Sequence, residues 1–263
     1  MDVALPVTRA AAAEASVEIP QYSVSRIIAV WAAAALPMAA LAWLVAPVLA
    51  DRFGGEGHVP MAKALIVSLT IGMVWQFVLV ATLVGREQGT LRWSTVREAL
   101  WLRSPRSPRS GRIGGRLWLV VIPLIIGFTL AQELVAVVAS PENRNFATII
   151  ESNAGKAFLD GAFGWYALIL VMFLFNTALG EELLFRGLLL PRMNGAFGRG
   201  DWVANGLLFA GYHLHVPWAI PGTLLEMFTT AYPTKRYRSA WIGIVVHSAQ
   251  SVFLAIVILT LVV

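Results

Sequence analysis

Residues 178–190 read ALGEELLFRGLLL. Without Glu181, Glu182 and Arg186 this would be an ordinary lipid-facing helix. A charge at the centre of a bilayer costs at least about 2.5–3.5 kcal/mol on insertion scales, so the three ionisable groups need partners or water. Glu182 and Arg186 are four residues apart and share a helix face, where they can pair. Glu181 points about 100° away from Glu182 and faces something else. A salt bridge with a snorkelling Arg186 is the structural alternative to a chemical role.

The surrounding chain is built for lipid. Of 263 residues, 58% are hydrophobic and 13% charged. Soluble domains carry about a quarter charged residues. The fold class this predicts is all-α, a polytopic membrane bundle of about seven transmembrane helices. Apolar windows fall at 26–49, 62–84, 117–139, 165–190, 202–214, 217–231 and 240–262. The fifth and sixth are short and Pro-interrupted, so they belong inside the bundle, where protein or a polar cavity covers the backbone. There is no cysteine, which removes disulfides and thiolate chemistry.

Charge orients the bundle. The loop 86–116 holds eight arginines against Glu87 and Glu98, and the net charge is +5. In a membrane protein such excess marks cytoplasmic loops and is no sign of a nucleic-acid partner. Alternation puts the basic loops around Arg192 and Arg199, and around Lys235, Arg236 and Arg238, on the same side. The N-terminus is then cytoplasmic and the C-terminus external, in a multi-pass protein of a bacterial plasma membrane. The chain divides into a polar tail (1–25), three N-terminal spans (26–139), an external loop (140–164) and a core (165–263). The run RSPRSPRS within the basic loop reads as a disordered tether near anionic lipid.

Three of four histidines lie in or beside apolar windows: His213, His215 and His247. At 1.5 Å per residue, His213, His247 and Glu181 sit about 17, 11 and 14 Å from the cytoplasmic ends of their windows. A carboxylate and two imidazoles therefore converge in the cytoplasmic half of the membrane. That set can activate water: a base, a second base or ligand, and a donor for an oxyanion. Glu181, His213 and His247 would also make a three-ligand open site for a divalent metal such as zinc. Glu226, in the sixth window, is a further candidate for the same cavity. Glu133, near the outer end of the third, reads as reaching the interface.

These residues resemble a family, the CPBP intramembrane proteases, which include CAAX endopeptidases and bacterial Abi proteins. Its E-E-x-x-x-R motif corresponds to EELLFR (181–186), its F-x-x-x-H to FAGYH (209–213), and its H-x-x-x-N/D to HSAQS (247–251). The resemblance implies an intramembrane endopeptidase acting on a peptide or protein at the bilayer. It implies that Glu181 and His213 activate water, that Glu182 and Arg186 support them, and that His247 stabilises the oxyanion. Ser251 departs from the usual Asn or Asp, which weakens the second oxyanion donor. Two other classes remain open at this point: an inactive member acting as regulator, scaffold or immunity factor, and a proton-coupled transporter relaying through Glu181 and His213. Substrate prenylation, metal dependence and oligomeric state stay open.

Overall fold

The computed structural model describes residues 17–134 and 139–263. Residues 1–16 of the expected tail and 135–138 of the third window lie outside it, as does the side chain of Glu133. The described residues form helices and turns, with one isolated bridge between Arg106 and Ile113 and no strand. The main helices are α1 (Val24–Ala50), α2 (Val59–Gln88), α3 (Trp93–Ala99), α4 (Val121–Leu134), α5 (Phe146–Glu151), α6 (Asn153–Leu159), α7 (Phe163–Arg192), α8 (Asp201–Tyr212), α9 (Ile220–Leu225), α10 (Ala231–Tyr237) and α11 (Ala240–Val262).

Four of them, α1, α2, α7 and α11, are long and apolar enough to cross a membrane. Leu36, Leu44, Ile71, Phe253 and Ile256 on these helices are exposed, as a lipid-facing surface requires. The stretch Gly115–Ala131, leading into α4, is a shorter apolar helix. The windows 202–214 and 217–231 do not form spanning helices. Pro217 and Pro221 interrupt the second, leaving 3₁₀ turns around α9. Hydropathy alone cannot separate such buried broken segments from spans, which is why it suggests seven.

Broken helices leave backbone carbonyls to satisfy. Pro37 inside α1 has no N–H for the Ala33 carbonyl, and Trp75 of α2 donates its indole N–H there at 2.8 Å. Next along α1, Leu41–Val45 is wound as a π turn, and Arg144 donates to the Ala42 carbonyl at 3.0 Å. Trp31 and Trp43 donate to the carbonyls of Leu208 and Leu214, each at 2.8 Å. The first helix is thereby bonded to the segment that carries His213. Gly89 ends α2 in the left-handed conformation (φ 65°) that favours glycine.

The three basic loops meet at one end. Arg103 donates to the Arg238 carbonyl at 3.1 Å, the Arg106 amide to Tyr237 at 2.9 Å, and Lys235 to Arg199 at 3.2 Å. The N-terminal segment is there too, since the Tyr22 amide donates to the Arg192 carbonyl at 2.9 Å. The C-terminus is at the other end, where the Gly161 amide donates to Val262. The RSPRSPRS run corrects its sequence reading. It is a folded turn, because Arg106 bridges Ile113 and Pro105 accepts from the Gly114 amide.

Candidate active site

The EELLFR motif sits where α7 changes its winding. The helix is π-wound over Phe175–Gly180 and again over Leu183–Leu189, so Glu181 and Glu182 lie between two widened turns. Such turns recur at functional sites because they interrupt the regular i→i−4 ladder. Nothing in the apolar pattern announces them. Gly180 sits against α2: a Cβ there would stand 3.1 Å from the Met73 carbonyl oxygen.

Glu182 is fully buried and has two neighbours. Its Oε1 is 3.2 Å from His247 Nδ1. Its Oε2 is 3.4 Å from Arg186 Nε, so the expected i,i+4 pair forms. A carboxylate only accepts, so the His247 proton toward it sits on Nδ1. Arg186, also fully buried, donates through Nη2 to Thr230 Oγ1 at 2.5 Å and lies 3.9 Å over the Phe209 ring. Thr230 in turn donates to the Glu226 carbonyl at 2.7 Å. Gly243 of α11 makes room for this arrangement, because a Cβ there would run into Glu182 Oε2 and come within 3.1 Å of Arg186 Cγ.

His213 is not inside an α-helix as the 202–214 window suggests; α8 ends at Tyr212, and His213 caps it (φ −73°, ψ 33°) and opens a 3₁₀ turn over His213–His215. Its Nδ1 is 2.8 Å from the Phe209 carbonyl. A carbonyl also only accepts, so Nδ1 carries the proton and neutral Nε2 is left with a lone pair. The ring stacks on His215 at 5.4 Å and meets the Phe209 edge at 4.9 Å. His247 lies 6.2 Å from Phe209 and 5.5 Å from Phe128 of α4. Phe209 thus touches Arg186, His213 and His247 together.

Glu181 is buried, with His247, Glu182 and Glu226 as its charged neighbours. The His213 ring is 5.1 Å from that of Tyr212. Ser251 is buried one turn after His247 on α11. Sequence reading missed Tyr212, Thr230, Phe128 and Gly243. Tyr212 lies within FAGYH and looks like any packed aromatic. A cavity of about 390 Å³ lies between α4 and α11, lined by Ile125, Phe128, Thr129, Val246, Gln250 and Phe253 among others, and its Phe128 wall meets the His247 ring. Among the described residues no three or more His, Asp or Glu side chains are grouped to hold a metal ion.

Residues 163–253 match the family described as Type II CAAX prenyl endopeptidase Rce1-like. No curated protein and no solved structure matches the chain. The match begins with α7 and ends within α11, enclosing all three motifs and leaving α1–α6 outside. Residues 163–253 of this chain are therefore similar to the Rce1-like CAAX prenyl endopeptidases.

Proposed function

We propose that the protein is an intramembrane endopeptidase that cuts a membrane-associated peptide with water activated by Glu181 and His213. The observation that carries this is the buried Glu182, set between His247 and Arg186 within the family-matched segment. Holding a carboxylate, a guanidinium and an imidazole together in an apolar interior is costly, and catalysis is a common reason for it. The name of the matched family supports a peptide substrate.

In the proposed reaction the water oxygen bonds to the scissile carbonyl carbon and Glu181 takes its proton. His213 orients the water through Nε2, its other nitrogen being fixed on Phe209. The carbonyl π electrons move to oxygen, and the oxyanion accepts from the Ser251 hydroxyl and from Nε2–H of His247, which acts as an imidazolium with a proton on each nitrogen, the Nδ1 proton facing the Glu182 carboxylate. His247 is aimed by its Nδ1 contact with Glu182. Collapse breaks the C–N bond, and the leaving nitrogen takes the proton from Glu181. Counted along their helices from the basic end, His247 and Glu181 lie about 11 and 17 Å deep, which supports a site in that half. The cavity between α4 and α11 offers an extended peptide a route to His247. Glu181, His213 and His247, the ligand set expected for zinc, are not grouped to hold a metal ion among the described residues.

The test is cleavage, in detergent, of a fluorogenic peptide ending in a CAAX sequence, prenylated and plain, with and without chelator. Glu181→Gln keeps the shape of the side chain but cannot take a proton. It is expected to lower kcat by about 10²–10⁴-fold with an unchanged melting temperature. Cleavage at the wild-type rate by Glu181→Gln overturns the proposed mechanism, and a wild type that cleaves neither peptide overturns the peptidase reading and puts the regulator in its place.

A further inference from the structure

A second cavity lies beyond His213, toward the end of the bundle away from the basic loops. It holds about 260 Å³ between α2, α5, α7 and α11, with Leu65, Leu69, Phe173 and Leu254 among its walls. Two ionisable side chains line it, Arg144 and His215. His215 is buried, and its Nδ1 has no hydrogen-bond partner. Arg144 spends Nη1 on the Ala42 carbonyl and lies 4.0 Å over the Trp43 ring. Glu142, two residues earlier, lies 3.8 Å from His58, and among the described residues no carboxylate pairs with Arg144. Trp43 holds the two together, because its indole N–H donates to the Leu214 carbonyl beside His215. A guanidinium with open donors and an unpartnered buried imidazole in one apolar cavity suit a carboxylate.

The cavity adjoins the proposed active site. The His215 ring stacks on His213 at 5.4 Å, and Leu254 is a wall of both this cavity and the one between α4 and α11. Depth can be read across the helices. Trp75 of α2 bonds to the Ala33 carbonyl of α1, and Met73, one half-turn further on, faces Gly180. Ala42, which Arg144 touches, is nine residues past Ala33. It therefore lies about 10 Å nearer the far end than Gly180. An extended chain covers that distance in about three residues.

We propose that Arg144 and His215 bind the free C-terminal carboxylate of the peptide substrate, about three residues beyond the bond that is cut. The guanidinium takes the carboxylate oxygens, His215 donates from Nδ1–H, and the apolar walls take the side chains between. This rests on the peptidase reading above and gives Arg144, from outside the family-matched segment, a part in choosing the substrate.

The experiment measures kcat/KM of the purified protein in detergent on three fluorogenic CAAX peptides: the free acid, its C-terminal amide, and the acid lengthened by two residues. Wild type is expected to prefer the acid to the amide by about ten- to a hundredfold, chiefly through KM, and to cut the lengthened peptide poorly. Arg144→Met is expected to bring the acid-to-amide ratio within about twofold of one, with Arg144→Lys between it and wild type. His215→Phe, which keeps a ring against His213, is expected to lower the ratio about three- to tenfold. A wild-type ratio within twofold of one, or a wild-type ratio in Arg144→Met, overturns the inference. Equal losses on acid and amide that added anionic lipid restores assign the cavity to a lipid headgroup and overturn it too. If Arg144→Met does not fold, the wild-type ratio and Arg144→Lys decide. A wild type that cuts acid and amide alike removes this inference alone, whereas one that cuts none of the three peptides removes the peptidase reading with it.

Discussion

Gly243 stands where a methyl group would strike the Glu182 carboxylate. A Cβ there would also come 3.2 Å from Thr234 Oγ1, so the carboxylate has little room to retreat. Gly243→Ala is expected to push Glu182 off His247, destabilise the protein by about 1–3 kcal/mol and lower cleavage; thermal unfolding and peptide turnover measure the two effects. Arg186 is the cation beside that carboxylate, and no other Lys or Arg side chain forms an ion pair with Glu182 among the described residues. Arg186→Ala leaves a buried charge uncompensated, at a cost of about 3–5 kcal/mol, visible as a lowered melting temperature and poor yield. Ser251 hydrogen-bonds with a short reach. Ser251→Asn extends a donor from the same turn, and kcat is expected to hold or rise; a fall would remove Ser251 from the proposed oxyanion site.

At the scale of elements, α7 is shaped by its two π turns and by Gly180, the last residue of the first. A Cβ on Gly180 would meet backbone oxygens of Phe175 and Met73, neither of which can swing aside as a side chain can. Gly180→Ala is therefore expected to part α2 from α7, lowering stability by about 2 kcal/mol and cutting turnover, as unfolding and activity assays would register. The pairing of Glu182 with Arg186 was legible in the sequence, because charges in an apolar run need partners and an i,i+4 spacing names one. Depth along the windows put His213 and His247 level with Glu181; in the structure His247 lies against Glu182, and His213 meets Phe209, which lies under Arg186. The π turns were not legible, since widening a turn leaves the run of apolar residues unchanged. The end of α8 at Tyr212 was not either: Pro217 signals a break, but the chain leaves the helix four residues earlier. The bond that Gln76 of α2 donates to the Tyr212 hydroxyl at 2.7 Å gave no signal, because the two residues lie 136 positions apart.

For the molecule as a whole, the ends differ in charge and are held differently. At the basic end Glu87 accepts from Tyr22, from Arg26 at 2.8 Å and from Arg192 at 2.8–2.9 Å, joining the N-terminal segment to α1, α2 and α7. Burial, and then the bond to Glu87, push the Tyr22 hydroxyl up to about 12. A raised value means that the protonated tyrosine stabilises the fold below its ordinary pKa of 10.0, and that this contribution fades as pH climbs through about 12. Melting temperatures of wild type should fall more steeply over that window than those of Tyr22→Phe. The absence of native cysteine makes topology direct to test. Cysteine placed at Ser110 should react with an impermeant maleimide only from the cytoplasmic side, and cysteine placed at Val263 only from outside. Labelling of both from one face would reverse the proposed orientation. The indoles of Trp31 and Trp43, which complete the backbone of the histidine-bearing segment, also limit what can be transplanted. A chimera that carries residues 163–253 behind the leading helices of another protein would strand the Leu208 and Leu214 carbonyls in lipid. A working graft has to take both tryptophans with it.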